Sequence, residues 1–270
     1  MISEDFVGIA EPIGRKLASE QPELAQQTII SKEGGLLLLN KPYGETSFFV
    51  VNQIRRTISI VTGIKWVKVG HAGTLDPLAT GLLVIGTRGR TKSMDKLLGL
   101  SKTYKVEMRL GLTSASFDLE QPIVAFPLPE LTPRQIEEAI MSFEGEQMQE
   151  PPIYSAIKLN GQPMYLSARR GEETKLASKP ITIHSIELHD IALPYVTFSV
   201  NCSKGTYVRS LVRDIAEKLG TVGVMTALER DTIGEWNIAD ALSVQEARDL
   251  INPTNIPARV ISKRGKQIDE

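Results

Sequence analysis

The run GHAGTLDPLATGLL, Gly70 to Leu83, holds three glycines, one proline, one histidine and a single carboxylate, Asp76. Glycines at 70, 73 and 81 let the backbone turn sharply or press close to a ligand, and Pro77 biases Asp76 away from helical geometry. The stretch therefore reads as a stiff loop carrying Asp76, anchored by a short buried strand, Leu82 to Ile85, that Gly86 closes. Asp-Pro also occurs in plain turns, so the loop alone leaves open whether Asp76 does chemistry.

The chain around it has 270 residues, 41% of them hydrophobic and 23% charged, enough for a large core as one domain or one domain with appendages. No apolar run approaches a membrane span; even Leu36 to Leu39 is cut by Asn40-Lys41-Pro42. Residues 1–33 carry six acids against three bases and lack a basic region followed by an apolar stretch, so a cytoplasmic protein is expected. One cysteine, Cys202, excludes an intramolecular disulfide and a cysteine-cluster metal site. His71, His184 and His189 have no metal-ligand spacing, and neither metal nor cofactor is expected. Net charge is −1, yet Asn40 to Arg109 holds twelve Lys and Arg against four Asp and Glu. That basic excess surrounds Asp76 and points to a polyanion such as nucleic acid, or to a solvated basic face.

Residues 1–34 read as an extension, flexible or weakly helical. The ordered domain begins at Gly35 with the strand Leu36 to Leu39. Beyond the turn Tyr43-Gly44, Thr46 or Ser47 caps a helix whose apolar positions are Phe49, Val50, Ile54 and Ile58. After the central loop, Gly81 and Gly86 have the glycine separation of a P-loop, but Thr87 stands where its lysine belongs, so nucleotide binding is rejected. Arg88, Arg90 and Lys92 remain available to phosphates by charge. Lys102 to Leu110 alternates as a half-buried strand, with Tyr104 on the apolar face. A helix is predicted from Pro133 to about Phe143. Residues 150–180 interleave Tyr154 and Tyr165 with Lys158, Arg169, Arg170, Lys175 and Lys179, which suits an RNA surface or a plain hairpin with solvated flanks. Two strands follow, Ile181 to Leu188 and Val196 to Cys202. Tyr207 and Arg209 then lie where extended chain enters a helix with the stripe Leu211, Ile215 and Leu219. Thr226 to Trp236 reads as a strand or turn, and Ser243 to Leu250 as a short helix.

Together these motifs resemble the TruB family of tRNA pseudouridine synthases. Gly70 to Leu83 is similar to the family's catalytic loop throughout, with Asp76 at the catalytic aspartate. Asn40-Lys41-Pro42 with Gly44, Thr46 and Ser47 resembles its N-terminal motif, Lys102-Thr103-Tyr104 its Lys-x-Tyr motif, Pro151 to Ala168 its RNA-gripping insertion, and Ser203 to Arg209 the motif carrying its arginine. There are departures. Ala115 and Gln121 stand where the family commonly has acidic residues and a glycine, and Glu229 replaces the middle arginine of a Leu-Arg-Arg motif. Some thirty residues after Trp236 are too few for the RNA-binding PUA domain of many relatives.

The resemblance implies an α+β fold, the pseudouridine synthase core, with a mixed, largely antiparallel sheet flanked by helices and loops. It places the catalytic domain at 35–236, the insertion at 150–180 and a short tail at 237–270. It implies isomerisation of uridine 55 in the T loop of tRNA by a monomer. Asp76 is the nucleophile, Tyr104 stacks on the flipped base or moves a proton, and Arg209 keeps Asp76 ionised. His71 either fills the vacated stack or is a backbone-bonded loop histidine. Lys41 orients the loop or closes a turn, and Tyr207 is a packing neighbour at the substrate site. Leu228, Arg169 and Arg170 complete the substrate contacts. Two other readings stay open: an RNA-binding or tRNA-folding factor whose catalysis is dispensable, and glycosidic hydrolysis. Hydrolysis ordinarily takes two carboxylates, and no acid but Asp76 lies between Glu45 and Asp95.

Overall fold

A computed structural model describes residues 11–155, 158–159, 162–164 and 176–253. The chain opens with helices α1 (Arg15–Glu20) and α2 (Pro22–Ile30), strand β1 (Leu36–Lys41) and helix α3 (Ser47–Thr62). Strands β2 (Val69–His71) and β3 (Thr80–Thr87) bracket the Asp76 loop, and α4 (Met94–Gly99) leads into β4 (Lys102–Leu110). The hairpin β5 (Leu112–Ser114) and β6 (Ile123–Ala125) stands apart as a two-stranded sheet before α5 (Pro133–Met141) and β7 (Gly145–Gln149). A small hairpin, β8 (Lys158–Leu159) and β9 (Gln162–Pro163), precedes the long antiparallel pair β10 (Lys179–Ala192) and β11 (Tyr195–Cys202). Helix α6 (Val208–Lys218), β12 (Gly223–Ile233), β13 (Trp236–Asn237), β14 (Leu242–Ser243) and α7 (Val244–Ile251) follow.

The principal sheet runs β14-β1-β3-β12-β4-β11-β10-β7, with β2 paired to β3 and β13 to β12. Among the described strands of this sheet only β14 with β1 and β3 with β12 are parallel pairs. The expected mixed, largely antiparallel sheet is what the molecule has. Its centre is β4, where Tyr104, Val106, Met108 and Leu110 are buried and the residues between them face outward. These side chains pack against α6, whose apolar stripe the sequence marks at Leu211 and Ile215. Beneath β1 and β3 a second cluster joins Leu37, Leu39, Leu83 and Ile85 to Val50, Ile54 and Ile58 of α3.

Three expectations change. Residues 15–20 and 22–30 are helical, but the segment is packed on the core: Ala25 and Ile29 are wholly buried, and Ile13 bridges to Leu37. At the other end β14 pairs with β1, and α7 buries Ala247 and Ile251 in the same cluster as α3, so residues 237–253 belong to the core and do not form a tail. In α3, Phe49 is not on the buried stripe; Val51 and Thr57 are, and Phe49 faces out.

Candidate active site

The loop holding Asp76 is fixed from both sides. The Lys41 side chain is fully buried, and its ammonium donates to the carbonyls of Pro42 (2.8 Å), Glu45 (2.6 Å) and Pro77 (3.2 Å). Burial lowers its pKa to about 8, with Glu45 and Asp76 opposing the shift. Lys41 therefore both closes the turn and holds the loop. Ser47 at the start of α3 donates its hydroxyl to the Leu75 carbonyl (3.0 Å) and accepts from the Leu75 N–H (2.9 Å). Thr46 is the helix cap, accepting from the Phe49 N–H.

Opposite these, Arg230 of β12 is buried with 1% exposure; it donates to the Leu82 carbonyl (2.7 Å) and the Gly73 carbonyl (3.0 Å). It sits across from Tyr104 in register. The glycines of the loop answer to this arginine. Gly81 has φ +110°, and a Cβ there would lie 2.4 Å from the Arg230 carbonyl oxygen; Gly73 has φ +101°. Gly70, by contrast, is ordinary strand.

Arg209 is the second residue of α6 and is itself buried. Its Nε lies 2.9 Å from Asp76 Oδ2 and its Nη2 donates to Asp76 Oδ1 at 3.4 Å, a two-point grip on the carboxylate. Nη1 donates to the Ser116 carbonyl (3.0 Å) and Nη2 also to the Tyr154 carbonyl (2.9 Å). The helix start is clamped by Gln149, whose side chain accepts from the Tyr207 N–H and donates to the Tyr207 carbonyl. Asp76 keeps about a third of its side-chain surface open (32%) while Arg209 keeps 6%. Desolvation raises the Asp76 pKa above the ordinary 3.8, Arg209 pulls it back, and Asp118 pushes it further up.

Asp118 was not singled out by the sequence. Its carboxylate lies 3.6 Å from Arg209 Nε, accepts from the Ser116 hydroxyl and the Glu120 N–H, and is 3% exposed. Asp76 is solitary along the chain but not in space. The signal was present as the lone acid in the run Ser114-Ala-Ser-Phe-Asp118, where Ser116 and Asp118 are turn formers. Arg230 was visible as a cation on the inward face of a strand, two residues from buried Leu228.

Tyr104 is 9% exposed and clusters with Leu75, Ala79 and Leu228. Its burial raises the phenol pKa, with Arg230 opposing, so it carries its proton at neutral pH. Burial lowers that of His71 at the end of β2, opposed by a backbone hydrogen bond with Gly73, so the ring is neutral and bonded to the loop backbone, while its buried Nδ1 has no hydrogen-bond partner. Tyr207 stands beside Arg209 and Ser155. Arg169 and Arg170 lie outside the described residues. Among the described residues no three His, Cys, Asp or Glu side chains are grouped to hold a metal, and no helix is long and apolar enough to cross a membrane.

This site falls within a recognised family. A family model described as TruB family pseudouridylate synthase (N terminal domain) matches residues 60–208. The tRNA pseudouridine synthase B of Phocaeicola vulgatus is 43% identical over 226 residues, 83% of this chain and 96% of that protein. The chain belongs to the TruB family. A tRNA pseudouridine synthase B from Clostridium kluyveri is 44% identical over 78% of this chain and 71% of its own. Among solved structures, a Cbf5-Nop10-Gar1 complex superposes with a TM-score of 0.60 at 26% identity, covering 85% of this chain. This chain spans 56% of that one. The TruB-family match includes Asp76 and Tyr104 and stops one residue short of Arg209, which the fold brings to Asp76 from outside it. The protein is a pseudouridine synthase.

Proposed function

We propose that this TruB-family enzyme isomerises uridine 55 in the T loop of tRNA to pseudouridine, by flipping the base and attacking with Asp76. The observation that carries the reading is the two-point Arg209–Asp76 pair beside Tyr104, with the carboxylate partly open and its guanidinium closed off. An ionised, oriented carboxylate is what breakage of the N1–C1′ bond requires; C1′ is then rejoined to C5, the C5 proton leaves and N1 takes up a proton, with no water consumed. Tyr104 lies on the apolar wall with Leu228, where a flipped uracil would stack, and His71, neutral, suits filling the vacated place in the RNA stack. The names of the relatives support tRNA as the substrate. Arg169 and Arg170 are assigned to the T arm, and the enzyme is taken to act as a cytoplasmic monomer; sedimentation with and without tRNA tests the last point.

The test is tritium release from tRNA labelled at uridine C5. Wild type should release it from position 55, with the RNA unchanged in length and no free uracil. Asp76→Asn should bind tRNA normally and release none. An Asp76→Asn protein as active as wild type would sink the proposal, and tritium released from other uridines alone would move the substrate elsewhere.

A further inference from the structure

Three aromatic side chains beside the catalytic loop take no part in the arrangement above. Tyr43, Phe48 and Phe49 are 62%, 66% and 52% exposed, while α3 buries Val50, Val51, Ile54 and Ile58 beneath them. The segment carrying them is fastened to the Asp76 loop at three points. The Gly44 N–H donates to the Pro77 carbonyl (2.8 Å), the Lys41 ammonium joins the Glu45 and Pro77 carbonyls, and the Ser47 hydroxyl holds Leu75 in both directions. Phe48 and Phe49 are thus carried on the first turn of a helix and Tyr43 on the turn before it, all on a segment tied to the loop of the reacting carboxylate.

Scattered exposed apolar side chains are ordinary. Three rings within seven residues, tied by hydrogen bonds to the loop that must admit RNA, are a different case. Phenylalanine offers a flat face and no hydrogen-bonding edge, so these positions gain nothing from water. Seven residues beyond Phe49, on the same side of α3, Arg56 is exposed. Its neighbour Arg55 is turned away, donating to the Val69 carbonyl and to Asn52. Aromatic faces followed by a free guanidinium are the means by which single-stranded nucleic acid is held without reading its sequence. Extruding a uridine also removes a stacking partner from each of its neighbours, a cost that a nearby aromatic face offsets.

We propose that Tyr43, Phe48 and Phe49 form a stacking platform for the unpaired nucleotides that flank the target uridine, with Arg56 on their phosphate. The proposal rests on the reading of Asp76 as the centre of an RNA isomerase acting on a loop.

The full chain is compared with Phe48→Ala/Phe49→Ala on a tRNA transcript and on a T-arm stem-loop carrying 2-aminopurine beside the target uridine. Both positions are exposed and helical, so the variant should fold. It should bind about five- to a hundredfold more weakly, the loss expected for one stacked base. Its single-turnover rate at saturating RNA should stay close to that of wild type. The 2-aminopurine should be quenched on wild type and bright on the variant. Phe48→Trp/Phe49→Trp should keep affinity and quenching, while Phe48→Leu/Phe49→Leu should not. Arg56→Gln should lower the salt dependence of binding by about 0.7 in log–log slope, as for one phosphate on a single strand, and the phenylalanine variants should leave it unchanged. Equal affinity and equal fluorescence for wild type and the alanine variant would overturn the platform, as would leucine serving as well as phenylalanine. A surface meant for a protein partner would give that same result. Failure of the substrate reading is separate: wild type would leave the T-arm uridine unmodified, whereas failure of the platform appears with pseudouridine formed normally by both.

Discussion

At the scale of single residues the chemistry turns on how Asp76 stays ionised. Desolvation and Asp118 push its pKa up, and Arg209 pulls it down, with a net rise above 3.8. An attacking carboxylate must be deprotonated, so the rate should fall as pH drops through this raised value, at a higher pH than an ordinary aspartate would give. Arg209→Gln removes the opposing cation and should move that acid limb up, toward neutral. Asp118→Asn removes the like charge and should move it down; pH–rate profiles of the three proteins check both signs. The same shift has a stability side. A carboxyl group whose folded pKa lies above its unfolded one binds its proton more tightly when folded, so its ionisation costs stability above that pH. Asp76→Asn removes the cost, and Arg209 keeps its carbonyl partners and Asp118. The inactive variant should therefore melt no lower than wild type at pH 7, measured by calorimetry. Asp76, Tyr104 and Arg209 were legible because each sits in a local motif. Asp118 lies in none, and Arg230, though the last residue of the Leu228-Glu229-Arg230 run, was given no role there, because their importance lies in contacts 91 and 157 residues away along the chain.

Among the elements, strands were easier to read than helix faces. Period-two burial marks β4 residue by residue, since both faces of a strand are visible in six or more positions. In α3 the apolar run Phe48-Phe-Val-Val51 fits more than one helical stripe, and the core took Val50 and Val51, leaving the rings outside. Junctions between elements carry the two sharpest expectations. Gly81→Ala places a Cβ 2.4 Å from the Arg230 carbonyl oxygen at φ +110°. The backbone strain alone is about 1–3 kcal/mol, and relief of the clash must part β3 from β12, so urea midpoint and activity should fall together. Lys41 and Lys102 anchor the ends of β1 and α4 with buried ammonium groups, Lys102 donating to the carbonyls of Leu97, Leu98 and Leu100, and burial lowers the pKa of each to about 8. A lysine whose folded pKa lies below its unfolded one penalises the fold while both states are charged, and the penalty fades as pH rises past the folded value. Melting temperature should accordingly rise from pH 8 toward 9, before the buried Cys202 and Tyr104, shifted the other way, begin to oppose it. Lys102→Met should flatten that rise.

For the whole molecule, the ends of the described chain decide whether the catalytic loop has a floor. The sequence around residues 11–34 and 237–253 lacks long periodic runs, and its elements are short, so a reading by period alone sets them apart from the domain. Short elements are stabilised by what they pack on. Here α2 and α7 close the cluster beneath β1 and β3, and α3 of the same cluster carries Ser47, which holds Leu75 beside Asp76. Damage at α7 should thus reach the whole fold. Ile251→Ala, at a fully buried position, should cost about 2–4 kcal/mol, seen as a lower urea midpoint with unchanged slope and a single transition. The same transition should be followed by loss of activity, because no boundary separates residues 237–253 from the loop. An independent tail would give the opposite pattern: activity lost at the wild-type midpoint, with only the helical signal of a few residues changing earlier.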